Sequence, residues 1–210
     1  MFLIEAERTF LRWMPRSNRP FWGFYRNSLR GTNSAILRVD ELQQSPRTHP
    51  QKLFIEYPKV NSVLKVGSAA ICMRFNRLRS LRRIERCMDN LAAGSQILDD
   101  LSDLAEDFQR SRFNYVALKL LRNENRVTRR RNMSLADISR QMLYSSTGEK
   151  VLGEVIDAFA SAYRALDPLR IREASRIARF HHAALVSLRE RMLVRRAEVI
   201  FGTWKQQALA

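Results

Sequence analysis

The chain has 210 residues, 37 Lys and Arg against 21 Asp and Glu, and a formal net charge of +16 at pH 7. A 45% hydrophobic and 9% aromatic share excludes an intrinsically disordered chain and allows one globular domain over residues 1–210. The two cysteines, Cys72 and Cys87, exclude a disulfide framework and a CxxC metal pattern, and no run of about eighteen apolar residues is available to span a membrane.

Seven Gly and six Pro punctuate a pattern that is otherwise helical throughout. Residues 2–13 predict a first helix, ended by Met14-Pro15-Arg-Ser-Asn-Arg-Pro20. The first residues lack the basic start and long apolar core of a signal peptide, and both cysteines sit in apolar helical contexts, so a reducing cytoplasm is the expected setting. Phe21-Trp-Gly-Phe-Tyr-Arg-Asn-Ser-Leu29 predicts a second helix, and residues 43–51, with Pro46 and Pro50, a loop. A helix over about 58–76 follows, with Pro58 at its opening position. A longer one over about 80–110 comes next. Residues 122–132 read as a basic linker. Ser134 is placed to cap a helix to about Tyr144, and Ser145 one running to about Leu166. Pro168 is expected to start a last long helix whose apolar stripe is Ile177, Phe180, Ala184, Leu188 and Met192. Strand alternation, heptads and internal repeats are not evident, so the expected fold is an all-α bundle.

The helix over 80–110 carries the densest chemistry. Five of the 21 acids fall within nine residues: Asp99, Asp100, Asp103, Glu106 and Asp107. On an unbroken helix they span an arc of about 120°, since residues advance by about 100° each. Like charges four apart repel by about 0.2–0.5 kcal/mol per pair, so the helix itself gains nothing from them. Hard oxygen ligands on one face suit Mg²⁺, which is typically held by one or two carboxylates together with substrate phosphates. A solvated acidic face is the plainer alternative. The small, apolar segment Met88–Leu98 before the acids favours a cavity-facing helix.

Gln96-Ile-Leu-Asp-Asp-Leu-Ser-Asp-Leu-Ala-Glu-Asp-Phe-Gln-Arg-Ser-Arg-Phe-Asn-Tyr115 resembles the second aspartate-rich motif of class I isoprenoid synthases. Gln followed by DDxxD is similar to the trans-prenyl diphosphate synthases. The DxxED core from Asp103 to Asp107, followed by Arg112 and Tyr115, is closer to the phytoene and squalene synthases. The Gly usual before that Arg is Ser111 here, and the trans-prenyl synthase tail, a KP and a later K-x-TYP, is missing. A weaker echo is Tyr57-Pro-Lys-Val-Asn-Ser-Val-Leu64. Its Lys59 lies about forty residues before Asp99, as does the diphosphate-binding Lys of prenyl synthases, with Lys65 as the alternative.

The resemblance implies an isoprenoid-synthase-type bundle that binds a prenyl diphosphate through Mg²⁺ for ionisation and prenyl transfer. Asp99, Asp100 and Asp103 would be the metal ligands, with Asp107 next in the DxxED register. Lys59 and Arg112 would hold diphosphate oxygens. Glu106 is expected to pair with a nearby Arg instead. Such enzymes need a second carboxylate cluster facing the first, and residues 1–88 hold only Glu5, Glu7, Asp40, Glu41, Glu56 and Glu85, none in a DDxxD or DxxxD pattern. The chain therefore corresponds to the C-terminal half of the family's bundle, without its N-terminal helices. Little turnover is expected from it alone, and a homodimer or partner subunit would supply the first cluster.

The rival reading is an Arg-rich nucleic-acid or polyanion binder. Its footprint is thirty-one Arg, concentrated at Arg74, Arg77, Arg79, Arg82, Arg83 and Arg86 and again from Arg126 to Arg131. Few aromatics are interleaved with them, and no helix-turn-helix or zinc-finger pattern accompanies them. The adjacent His181 and His182 point to different faces of a helix and make a poor chelate. A Ser-His-Asp or Cys-His grouping and a phosphate-cradling Gly loop are likewise not visible.

Overall fold

A computed structural model describes residues 2–123 and 135–207, all helix and turn, with no strand among them. The expected Ser134 cap and the Arg126–Arg131 cluster lie outside the described residues. Helix α1 (Phe2–Trp13) ends at the Met14-Pro15 turn. Helix α2 (Arg19–Gln43) starts where the Asn18 side chain accepts from the Phe21 N–H, with Pro20 in the first turn. It continues well past Leu29 because its inward face does. Beyond Phe21 and Tyr25 that face passes through Ser28, Thr32 and Ala35, small side chains that give little apolar signal, before it reaches Leu42.

Pro58 does not open a helix. Helix α3 (Pro50–Val60) starts eight residues earlier, capped by the His49 ring, and Pro58 lies in its last turn. A proline inside a helix removes a backbone hydrogen bond and crowds the preceding turn. The expected helix over 58–76 is accordingly divided into the end of α3, a 3₁₀ turn at Ser62–Leu64, and α4 (Lys65–Arg74). Thr32 binds this junction to α2: its hydroxyl donates to the Lys59 carbonyl at 3.3 Å and accepts from the Val63 N–H at 3.1 Å.

The helix expected over 80–110 is also two. Helix α5 (Leu78–Ser102) and α6 (Leu104–Gln109) meet at Asp103. Helix α7 (Tyr115–Asn123), which the sequence reading did not anticipate, includes the start of the supposed basic linker. Helices α8 (Leu135–Tyr144) and α9 (Ser146–Leu166) follow, the latter capped by Ser145 as expected. Pro168 sits in a 3₁₀ turn, and α10 runs from Arg172 to Gln207.

Helices α5 and α9 form the central pair, with α10 packed on α9 and α3 and α7 filling in against α5. Gly94 sets how closely the pair can approach. A Cβ there would stand 2.7 Å from the Phe159 ring. The main core gathers Leu53, Tyr57, Ile97, Val116, Leu118, Val151 and Val155, all essentially inaccessible. A second core joins Met14, Phe21, Tyr25, Val66 and Ala70 near α1 and α2. On α10 the expected stripe is displaced: Ile177, Phe180 and Leu188 are exposed, and Leu185 enters the core.

Candidate functional site

Asp99 and Asp100 are neighbours on α5, and their side chains go to different places. Asp100 is 3% exposed. Its Oδ2 accepts from the Tyr57 hydroxyl on α3 and, at 2.8 Å, from the N–H of Tyr115, the first residue of α7. The Asn114 amide donates at 2.8 Å to the Asp100 carbonyl and at 2.8 Å to the Asp107 carboxylate. Its Oδ1 accepts from the Ala117 N–H at 3.0 Å, which caps α7. In an unbroken helix the Asp100 carbonyl would bond the N–H four residues on. Here it takes Asn114, and the helix ends at Asp103.

Burial pushes the Asp100 carboxyl up to about 6, against the opposing pull of its bonds from Tyr57 and Tyr115. Burial first, and then the Asp100 charge, push the Tyr57 hydroxyl upward as well. Asp100 and Asp107 thus hold the start of α7 against the end of α5. Tyr115 continues the network outward, donating from its hydroxyl to Glu154 at 2.7 Å, and Glu154 also pairs with Lys119.

Asp99 faces the other way. It lines a cavity of about 560 Å³ between α5, α9 and α10 whose walls include Leu91, Leu98, Phe159, Tyr163, Leu166 and Ile177. Among the described residues it is the one carboxylate there, and its side-chain partner is the Gln96 amide of its own helix at 3.4 Å. The Tyr163 hydroxyl is buried without a hydrogen-bond partner among the described residues, and burial raises its pKa. An unpaired buried hydroxyl is costly.

Asp103 is exposed at the helix break, its N–H bonded to the Asp99 carbonyl at 2.8 Å, so the two acids stand on successive turns. Glu106 pairs with Arg110 at 2.7 Å, as expected for it. Lys59 pairs with Glu56 at 2.9 Å, Lys65 with Asp89, and Arg112 with Asp40 at 2.6 Å. None of these three cations lines the cavity. The broken helix therefore distributes the five acids over three environments instead of one arc. Ser111 stands at φ 57°, a left-handed conformation that favours glycine, at the position where the resembling motif carries Gly.

Sequence reasoning missed the far wall of the cavity. His181, read as structural, lines it and lies 5.7 Å from the Phe159 ring, centroid to centroid. Its spacing of four from Ile177 was the available signal, since both fall on one face of α10. Among the described residues no three His, Cys, Asp or Glu side chains gather as a metal cage. Two carboxylates completed by a ligand's phosphates are the arrangement that Mg²⁺ commonly accepts. Comparison with protein-family models, curated proteins and solved structures finds no match.

Proposed function

We propose that the cavity between α5, α9 and α10 binds a prenyl diphosphate as its Mg²⁺ complex. The observation that carries this reading is Asp99, a carboxylate without a cationic partner among the described residues, in the wall of a largely apolar cavity. The side chains of Leu91, Leu98, Phe159 and Ile177 suit an isoprenoid chain, Asp99 suits the metal at its diphosphate end, and Asp103, outside the cavity wall, would have to reach that metal from the next turn. Asp100 and Asp107 are left out of the ligand set, because their oxygens already hold α7. Bound there, Mg²⁺ would neutralise the diphosphate as a leaving group, and prenyl transfer is the reaction class that the motif resemblance implies. Lys59 and Arg112 are engaged with Glu56 and Asp40, so the metal carries the phosphate charge in this reading.

Calorimetry with farnesyl diphosphate tests it. Binding should require Mg²⁺ and weaken at least about tenfold in Asp99→Asn, the size of one lost charge-assisted contact. The melting temperature of that variant should stay at the wild-type value, because the side chain is exposed. Equal affinity with and without Mg²⁺, or in the variant and the wild type, would refute the proposal.

A further inference from the structure

At the corner between α4 and α5 the chain turns through Phe75-Asn76-Arg77, with Asn76 in the left-handed region at φ 52°. Asn tolerates this conformation better than most residues. Three large apolar side chains stand out around the turn: Ile71 at 58% exposure, Phe75 at 65% and Leu78 at 52%. Exposed apolar residues scattered singly need no explanation, but a group at one corner does.

Its surroundings are basic. Arg74, Arg77, Arg79, Arg82, Arg83 and Arg86 are all exposed, and none is ion-paired with an acid of the described residues. From Tyr57 to Ile84 the sequence contains no Asp or Glu at all. Glu85, the first acid after it, is half-buried and faces Lys65, Asp89 and Arg82. On α5, taking Leu78 as 0°, Arg82, Arg86, Arg79 and Arg83 fall at about 40°, 80°, 100° and 140°. The opposite side of the same helix holds the buried Leu81 and Cys87.

An apolar tip flanked by six exposed Arg fits one kind of partner by charge and by shape. Anionic lipid headgroups meet guanidinium groups at the interface while apolar side chains enter the acyl boundary below them. A nucleic-acid backbone would satisfy the Arg and leave Ile71 and Leu78 without a use. We propose that the α4–α5 corner docks this protein on anionic membrane surfaces, with Ile71, Phe75 and Leu78 inserted and the six Arg at the headgroups. This proposal stands independently of the diphosphate reading, and its test involves no diphosphate.

The full-length protein is sedimented with phosphatidylcholine vesicles, with and without roughly one third phosphatidylglycerol. It should bind only the anionic vesicles and release as salt screens the charges. Each Arg near such a surface contributes about fivefold to partitioning, so Arg82→Ala with Arg86→Ala should lose about twenty-five-fold. Phe75→Ser with Leu78→Ser should lose at least about tenfold while binding short duplex DNA no differently from wild type. Phe180→Ser, an equally exposed residue on α10, should change nothing; circular dichroism checks that each variant is folded. No sedimentation of the wild type with anionic vesicles would overturn the proposal. Unchanged vesicle binding by the Phe75/Leu78 variant would do the same, since it would reduce the patch to general adherence to polyanions. Tight DNA binding without vesicle binding would assign the corner to nucleic acid.

Discussion

The C-terminal end of α5 presents two surfaces one residue apart, and they are finished in opposite ways. Toward α7, Asp100 sits among Tyr57, Asn114 and Tyr115 with its Oδ2 occupied by two donors. Toward α9 and α10, Asp99 stands in an apolar wall with no donor closer than 3.4 Å. The difference shows how a helix can devote one carboxylate to holding the fold and leave the next in a cavity wall. An acid whose lone pairs are consumed by the protein is a structural part. One left open beside a cavity is available for chemistry.

Truncating the inner acid should have the largest effect on stability. Asp100→Ala strands the Tyr57 hydroxyl and the Tyr115 N–H in the interior, and a buried unsatisfied group costs about 1–3 kcal/mol. A loss of roughly 3 kcal/mol in urea unfolding is expected. A loss below about 1 kcal/mol would show that the inner and outer acids are not functionally divided.

The same group gives a smaller, pH-dependent effect. Burial raises the Asp100 carboxyl to about 6, so the folded chain binds more protons than the unfolded one between the ordinary carboxylate range and that value. The stabilisation is complete below the ordinary value and is lost as pH rises toward about 6. At about 1.4 kcal/mol per pKa unit, the wild type should lose about 2–3 kcal/mol relative to Asp100→Asn between pH 4 and pH 7. Asn retains an acceptor for Tyr57 and Tyr115 and does not titrate. Parallel stability curves for the two proteins over this interval would contradict a raised pKa for the inner acid.

The smallest effect sharpens the comparison at its far end. Ser111 holds a left-handed backbone just before Arg112, which costs a non-glycine residue about 1–2 kcal/mol. Part of that gain is returned through the greater freedom of glycine in the unfolded chain. Ser111→Gly should therefore stabilise by about 0.5–1 kcal/mol, seen as a raised melting temperature. Destabilisation would mean that the serine side chain contributes something beyond its backbone.

Much of the helical layout was legible because its signals are local. The Met14-Pro15 stop, the Ser145 cap and the apolar-then-acidic course of α5 can each be read within a few residues. Local reading failed where a segment's partner is distant in sequence. The middle of the inward face of α2 is small, at Ser28, Thr32 and Ala35, where α3 and α4 lie against the helix, and Thr32 is bonded to the chain 27 and 31 residues ahead. Helix α7 was missed although its cap, Asn114 to the Ala117 N–H, is local; what is distant is the hold of Asp100 and Asp107 on the same side chain. The apolar stripe on α10 was legible from its spacing, but not which side of the helix is covered, since that depends on where α9 and α8 lie.

By itself the sequence determined that the chain is helical, strongly basic, and marked by one dense acidic stretch ahead of Arg112 and Tyr115. Composition and period follow from the order of residues alone. Which acid enters the interior was left to tertiary structure. Helix geometry sets Asp99 and Asp100 about 100° apart, but it does not say what lies on either side. Tyr57, forty-three residues earlier, and Tyr115, fifteen later, make one of those sides a hydrogen-bonded interior. Phe159, Tyr163 and Ile177 make the other a cavity. Adjacent carboxylates of identical chemistry are thereby separated by their neighbours, one buried with its pKa raised and one set in a cavity wall.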